Sequence, residues 1–147
     1  MLIVRGDAQT MPSERNPAAT GEVWFDPILP KTDDVDVGTV IFSPNGRTVW
    51  HQHAHGQLLQ VTSGYGFVCR EGEEPQRVRA GDTVWIGPNE RHWHGATSST
   101  LMSHTTVTIG ETEFLEAVTE ADYAAANNTP RPRGANARSA FCDVGPE

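Results

Sequence analysis

The chain has 147 residues, about one domain's length, and carries 11 Lys and Arg against 19 Asp and Glu for a net charge of −8. That balance argues against duplex nucleic acid and anionic membrane surfaces as partners, since both require a cationic face, and no run approaches the roughly 18 apolar residues of a membrane span. Fourteen Gly, ten Pro and thirteen Val, scattered among short alternating stretches, favour β-structure over a helical bundle.

Residues 1–19 read as a short strand, Leu2 to Arg5, followed by a polar connection through Pro12, Ser13 and Pro17. The opening MLIVRGDAQTM lacks the charged-then-apolar layout of a signal peptide, so the expected compartment is the cytoplasm. From Thr20 the chain becomes a series of strand-like runs: Gly21 to Phe25, Val35 to Phe42, Thr48 to His53, Leu58 to Val61, Gly66 to Arg70, Gln76 to Val78, Thr83 to Ile86, Arg91 to Ala96 and Thr100 to Ile109. Turn signals separate them, among them Ser43-Pro44-Asn45-Gly46, Ser63-Gly64, Ala80-Gly81-Asp82 and Gly87-Pro88-Asn89. This spacing predicts an antiparallel sandwich or barrel. After Gly110 the spacing of Phe114, Leu115, Val118, Ala121 and Ala125 predicts a helix over 111–126, so that 20–126 forms the barrel domain with its terminal helix. Residues 127–147, rich in Pro, Arg and Gly, read as a disordered tail or as an arm anchored by Phe141 on a partner subunit. Cys69 and Cys142 differ in setting and imply two free thiols.

All six histidines lie between residues 51 and 104, and four form the HxH pairs His51/His53 and His92/His94. Residues two apart on a strand share a face, so each pair projects both imidazoles into a barrel interior, where facing strands converge on one metal. Gln57, opening the strand after the loop-like Ala54-His55-Gly56, offers an amide oxygen to complete the set.

With His51, His53, Gln57 and Gly64 in one register and Gly81, Pro88 and His92 in another, the sequence resembles the cupins over roughly residues 20–110. The resemblance implies an all-β fold, a jelly-roll β-barrel with a C-terminal helix. Gln57 stands where glutamate is usual, which leaves a set of neutral donors and leans away from dioxygenase chemistry, often built on two histidines and a carboxylate. The run from Gly46 to His104 is similar to small bacterial cupins that act as manganese-dependent hydroxynitrile lyases. That likeness implies one divalent metal on His51, His53, Gln57 and His92, with Mn favoured over Fe, Ni or Zn, and His94 and His104 as non-ligand histidines of the pocket. It also implies a small-molecule substrate and the cleavage and formation of cyanohydrins. A metal-dependent dioxygenase, an isomerase or decarboxylase acting on a small carbonyl compound, and a non-catalytic metal or small-ligand binder are the other readings.

Strand spacing turns His94 to the same cavity as His92, yet one ion rarely takes both neighbours, which leaves His94 free; Met102, His104 and Thr106 share a face, so His104 reaches the pocket too. Either imidazole is suited to take a hydroxyl proton near neutrality. His55 reads as a rim histidine, a fifth ligand in some states or, the favoured reading, a solvated side chain. Glu71, Glu73 and Glu74 read as a solvated hairpin tip, and Gly64 and Gly66 as turn glycines. Trp50 and Trp93 alternate with the histidines and should point outward, against the helix or a second subunit, which suggests a homodimer or higher homo-oligomer. Trp85 fits either setting.

Overall fold

The computed structural model describes residues 1–6 and 13–130. Its strands are β1 (Glu14–Arg15), β2 (Ala19–Thr20), β3 (Val23–Thr32), β4 (Val35–Phe42), β5 (Arg47–Thr48), β6 (His51–His53), β7 (Gln57–Arg70), β8 (Gln76–Arg79), β9 (Thr83–Ile86), β10 (His92–Ala96), β11 (Met102–Ile109) and β12 (Thr112–Phe114), followed by helix α1 (Glu120–Asn128). Every pairing is antiparallel, in the order β1-β3-β4-β11-β7-β10-β5-β2, with β8 and β9 also on β7 and β12 reaching β10 through β6.

The long strand β7 closes the barrel by belonging to both halves. Its first part pairs with β11 and β9 and its second with β10 and β8. The expected turn at Ser63-Gly64 is therefore a bend inside one 14-residue strand. Gly64 makes the bend possible: its φ is 73°, and a Cβ there would lie 1.8 Å from the Leu101 carbonyl oxygen.

Two further corrections concern the ends. Leu2 to Arg5 forms no strand, and Met1 to Val4 are exposed. Glu14–Arg15 and Ala19–Thr20 take the edges instead. The expected helix over 111–126 begins nine residues late. Thr112–Phe114 supplies the edge partner of β6, with Thr112 opposite His53 and Phe114 opposite His51, so pairing overrides the 3.6-residue pattern. The helix starts where Thr119 caps it, its Oγ1 accepting from the Asp122 N–H at 3.1 Å. It takes in Asn127 and Asn128, so the tail's beginning at 127 is also revised; residues 131–147, with Phe141 and Cys142, lie outside the described residues.

α1 lies on the outside of β7 and β10. Tyr123 and Ala126 pack with Phe67, Cys69, Trp93 and Val118, and the Tyr123 hydroxyl donates to the Ala96 carbonyl at 2.8 Å. Arg47 sits under the Tyr123 ring and reaches Glu120 at 2.6 Å, while Arg77 donates to the carbonyls of Asn127 and Thr129, closing the helix C-terminus. Trp93 is 1% exposed beneath this helix, and Trp50 is half-buried beside the Arg91 guanidinium, so they are not an exposed aromatic pair. Burial pushes the free Cys69 thiol up to about 11, which makes it unreactive. The barrel's own core is a separate cluster that includes Val23, Val40, Phe42, Leu59, Val61 and Met102.

Candidate metal centre and its cavity

Register builds the site. His51 on β6 is the Cα partner of His92 on β10, and alternation turns His51, His53, His92 and His94 inward, as the HxH spacing predicts. The rings of His51 and His92 lie 4.2 Å apart, and one nitrogen from each of His51, His53 and His92 falls within 4.8 Å of the others.

The outer nitrogens explain why the inner ones are free to bind. His51 Nδ1–H donates to the Val49 carbonyl at 2.9 Å and His92 Nδ1–H to the Glu90 carbonyl at 2.8 Å, which fixes the tautomer and leaves each Nε2 with a lone pair. His53 Nδ1 meets Thr112 Oγ1 at 2.9 Å, and its buried Nε2 has no partner among the described residues. Gln57 is oriented in the same way: its Nε2 donates to Thr106 Oγ1 and Thr108 Oγ1, each at 2.9 Å, which turns Oε1 toward His92 Nε2 at 3.4 Å. Three imidazole nitrogens and an amide oxygen thus face one point, a donor set that suits a divalent cation. An orphaned buried Nε2 is the feature such an ion would satisfy.

Burial sets the protonation state. It lowers His51 well below the usual imidazole value, with nearby His92 adding to the effect, lowers His92 too, and brings His53 down to about 4. The cluster is neutral at pH 7, the form that binds metal.

His94 borders the same cavity, and its Nδ1 lies 3.1 Å from His104 Nε2. His104 stands behind it against Phe42, with ring centroids 5.5 Å apart. Burial again dominates, holding His94 well below its ordinary value and His104 at about 4. His94 Nε2 and His104 Nδ1 have no partners among the described residues. His55 is exposed on the loop before Gln57, and Glu71, Glu73 and Glu74 are exposed, all as expected from sequence.

The cavity measures about 250 Å³, and Phe25, Asp36 and Phe114 also line it. A larger, open cleft of about 690 Å³ lies elsewhere on the surface, but its Arg70 and Arg91 are ion-paired with neighbouring glutamates and no imidazole lines it. The imidazoles of His51, His53 and His94 line the smaller space. Sequence reasoning missed Thr106, Thr108 and Thr112 as supports and Asp36 as a lining carboxylate. The alternation of β11 and β4 carried the signal for all but Thr112, which lay in the segment read as helix.

The fold and donors define a class: a small antiparallel barrel that gathers three histidines able to hold a metal ion on its inner wall. The chain belongs to the cupin family, whose cupin domain profile matches residues 38–108. It is 40% identical over 112 residues to an (R)-mandelonitrile lyase of Granulicella tundricola, spanning 71% of this chain and 84% of that protein. A cupin-like protein of Thermotoga maritima superposes with a TM-score of 0.77 at 32% identity, covering 84% of this chain and all of that one. A polyketide cyclase of Streptomyces resistomycificus shares the fold alone, with a TM-score of 0.66 at 18% identity over 83% of this chain and 91% of that one. No described helix is long and apolar enough to cross a membrane.

Proposed function

We propose that this cupin is a metal-dependent lyase that cleaves and forms cyanohydrins. The observation that carries the reading is a cavity-lining imidazole, His94, whose Nε2 has no partner among the described residues, beside the His51/His53/His92/Gln57 donor set, in a chain 40% identical to an (R)-mandelonitrile lyase. Those four residues would hold the ion, for which manganese is our assignment over Fe, Ni or Zn. A bound divalent ion supplies Lewis acidity toward a hydroxyl oxygen, undiminished here because every donor is neutral.

The chain's own groups move the proton. With His94 Nδ1–H donating to His104 Nε2, His94 Nε2 presents its lone pair to the cavity and takes the substrate hydroxyl proton. As the C–O bond becomes a carbonyl, the carbon–carbon bond to the nitrile breaks and its electron pair leaves as cyanide. The proton on His94 Nε2 then passes to cyanide, giving aldehyde and hydrogen cyanide with nothing consumed. His104 keeps the His94 ring in the required tautomer throughout.

Aldehyde release from mandelonitrile by manganese-loaded protein, with dissolved oxygen recorded alongside, tests the reading. Aldehyde without oxygen uptake supports it. Oxygen uptake would favour a dioxygenase, carbonyl isomerisation or decarboxylation the other enzyme readings, and metal binding without turnover a non-catalytic binder.

The same reading places the protein in the cytoplasm, in keeping with its free Cys69 thiol, and makes it a homodimer. The support for a dimer now comes from the outer face of the β3-β4-β11-β7-β9 sheet, where Trp24 and Ile41 are register partners and both are exposed, as is Trp85. A monomeric mass by light scattering at micromolar concentration overturns it.

A further inference from the structure

One charged group inside the cavity has no part in the proposed reaction. β4 turns Asp36, Gly38, Val40 and Phe42 inward. The Asp36 carboxyl lines the cavity, half-buried, with no side-chain hydrogen-bond partner among the described residues. Its Cα partner is Thr108, and the partner of Thr108 on the other side is Gln57, so the three form a row across β4, β11 and β7. Thr108 is already committed to the Gln57 amide. Asp36 therefore stands two strands from Gln57, about 10 Å at the usual spacing.

Apart from the ion proposed at the histidine end, the charges along this path are few. The other lining ions, Glu14 and Arg15, are exposed. Burial raises the Asp36 carboxyl above its ordinary value, with Lys31 and the Val37 backbone N–H opposing, as expected of a carboxylate lacking a full set of donors. Phe25 lies across Gly38, where a Cβ would come within 2.2 Å of the ring, so the absence of a side chain at Gly38 makes room for an aromatic ring in the cavity that Asp36 also lines. An aryl group placed along this wall has its reacting carbon at the histidines and its far substituents at Asp36.

We propose that Asp36 sets substrate specificity by receiving a hydrogen-bond donor, a hydroxyl or an ammonium, at the far end of an aryl substrate and by turning away a carboxylate there. This rests on the proposed function only in placing the reacting hydroxyl at the histidine end. A half-desolvated carboxylate is costly to leave unpaired and costlier to set against a second anion, whereas one charge-assisted hydrogen bond restores what it lost. Phe25 supplies apolar contact of the same order for all such ligands, so the carboxylate decides among them.

The test is calorimetric titration of manganese-loaded protein with benzyl alcohol, 4-(aminomethyl)benzyl alcohol and 4-(hydroxymethyl)benzoate. The expected order in the wild type is ammonium about tenfold tighter than the neutral alcohol, and carboxylate about tenfold weaker. In Asp36→Asn the three should fall within about threefold of one another, with metal content unchanged. A carboxylate probe that binds the wild type as well as the ammonium probe, an order unaltered in the variant, or no binding by any probe overturns the proposal; the first and last need no variant to fold. Mandelonitrile cleavage reads the reaction separately: charge-ordered binding without cleavage leaves Asp36 standing and refutes the lyase, and cleavage without charge order does the reverse.

Discussion

The two ends of the barrel interior are built on the same strands and do opposite things. Along the inner faces of β11 and β4 the paired residues run Met102 with Phe42, His104 with Val40, Thr106 with Gly38 and Thr108 with Asp36. One end is a close-packed cluster in which Phe42, Leu59 and Met102 are fully buried. The other gathers imidazoles, hydroxyls and an amide, and leaves nitrogens of His53, His94 and His104 buried without partners. An unsatisfied buried polar group costs about 1–3 kcal/mol, so the open end is held in place by the closed one. The gradient along a single strand face teaches that stability and chemistry are separated here by position along the barrel axis.

Substitutions at the two ends should therefore fail differently, and the largest contrast is between His94 and Phe42. His94→Ala removes the proposed base while leaving the four proposed donors and the apolar cluster intact. It should lower cyanohydrin turnover by about 10²–10⁴ with normal metal content. Phe42→Ala empties space in the closed end and should lower unfolding free energy by about 3–5 kcal/mol in urea titrations. Comparable loss of metal in both variants would erase the distinction between the ends.

Metal retention sharpens the comparison next. His53→Ala takes away an unpaired nitrogen that has no stabilising partner in the metal-free protein. It should strip metal during gel filtration and abolish the rise in Tm produced by added manganese, a rise that follows from binding to the folded state alone. Undiminished metal by elemental analysis would show that the donors are other groups.

A pH titration of the metal-free protein reads the open end alone. His53 and His104 have folded values of about 4, lowered by burial, against about 6.5 in the unfolded chain. Between those values the unfolded chain binds more protons, so stability rises with pH. Urea midpoints should be highest above pH 6.5 and fall as pH drops toward 4, and the slope should flatten in His104→Gln. A flat profile over that window would mean that these imidazoles are solvated.

Much of this division was legible in the sequence, and its limits have physical causes. The HxH pairs disclosed inward-facing imidazoles because strand alternation is local, and Val35–Phe42 and Thr83–Ile86 were read with their observed bounds for the same reason. β3 runs on past Phe25 because Pro27 and Pro30 sit on its free edge, where a missing N–H costs little, and because Asp33 and Asp34, with φ of 50° and 63°, make a tight hairpin to β4. Thr112 could not be recognised as a support for His53, since its strand exists only through pairing with β6. Trp93 was read correctly as outward, but its cover depends on where α1 docks, a tertiary fact. The carbonyls of Val49 and Glu90 that fix two histidine tautomers carry no sequence signal at all.

The smallest expected effect is the most specific to the open end. Gln57→Glu keeps the side chain's shape and adds one negative charge to a set of neutral donors. The Thr106 and Thr108 hydroxyls that now accept from Gln57 Nε2 can donate instead, since a hydroxyl serves either role, so the carboxylate fits without leaving a buried atom unpaired. Metal should then be held more tightly, on the order of tenfold slower loss to a chelator, because a charged oxygen replaces a neutral one. Turnover should fall at the same time, since the added charge offsets part of the field that acidifies the substrate hydroxyl. Chelator competition and initial rates on the same preparation separate the two effects. Metal loss no slower than in the wild type would show that the Gln57 oxygen is not a donor, and tighter metal with undiminished rate would show that the charge of the site does not govern the reaction.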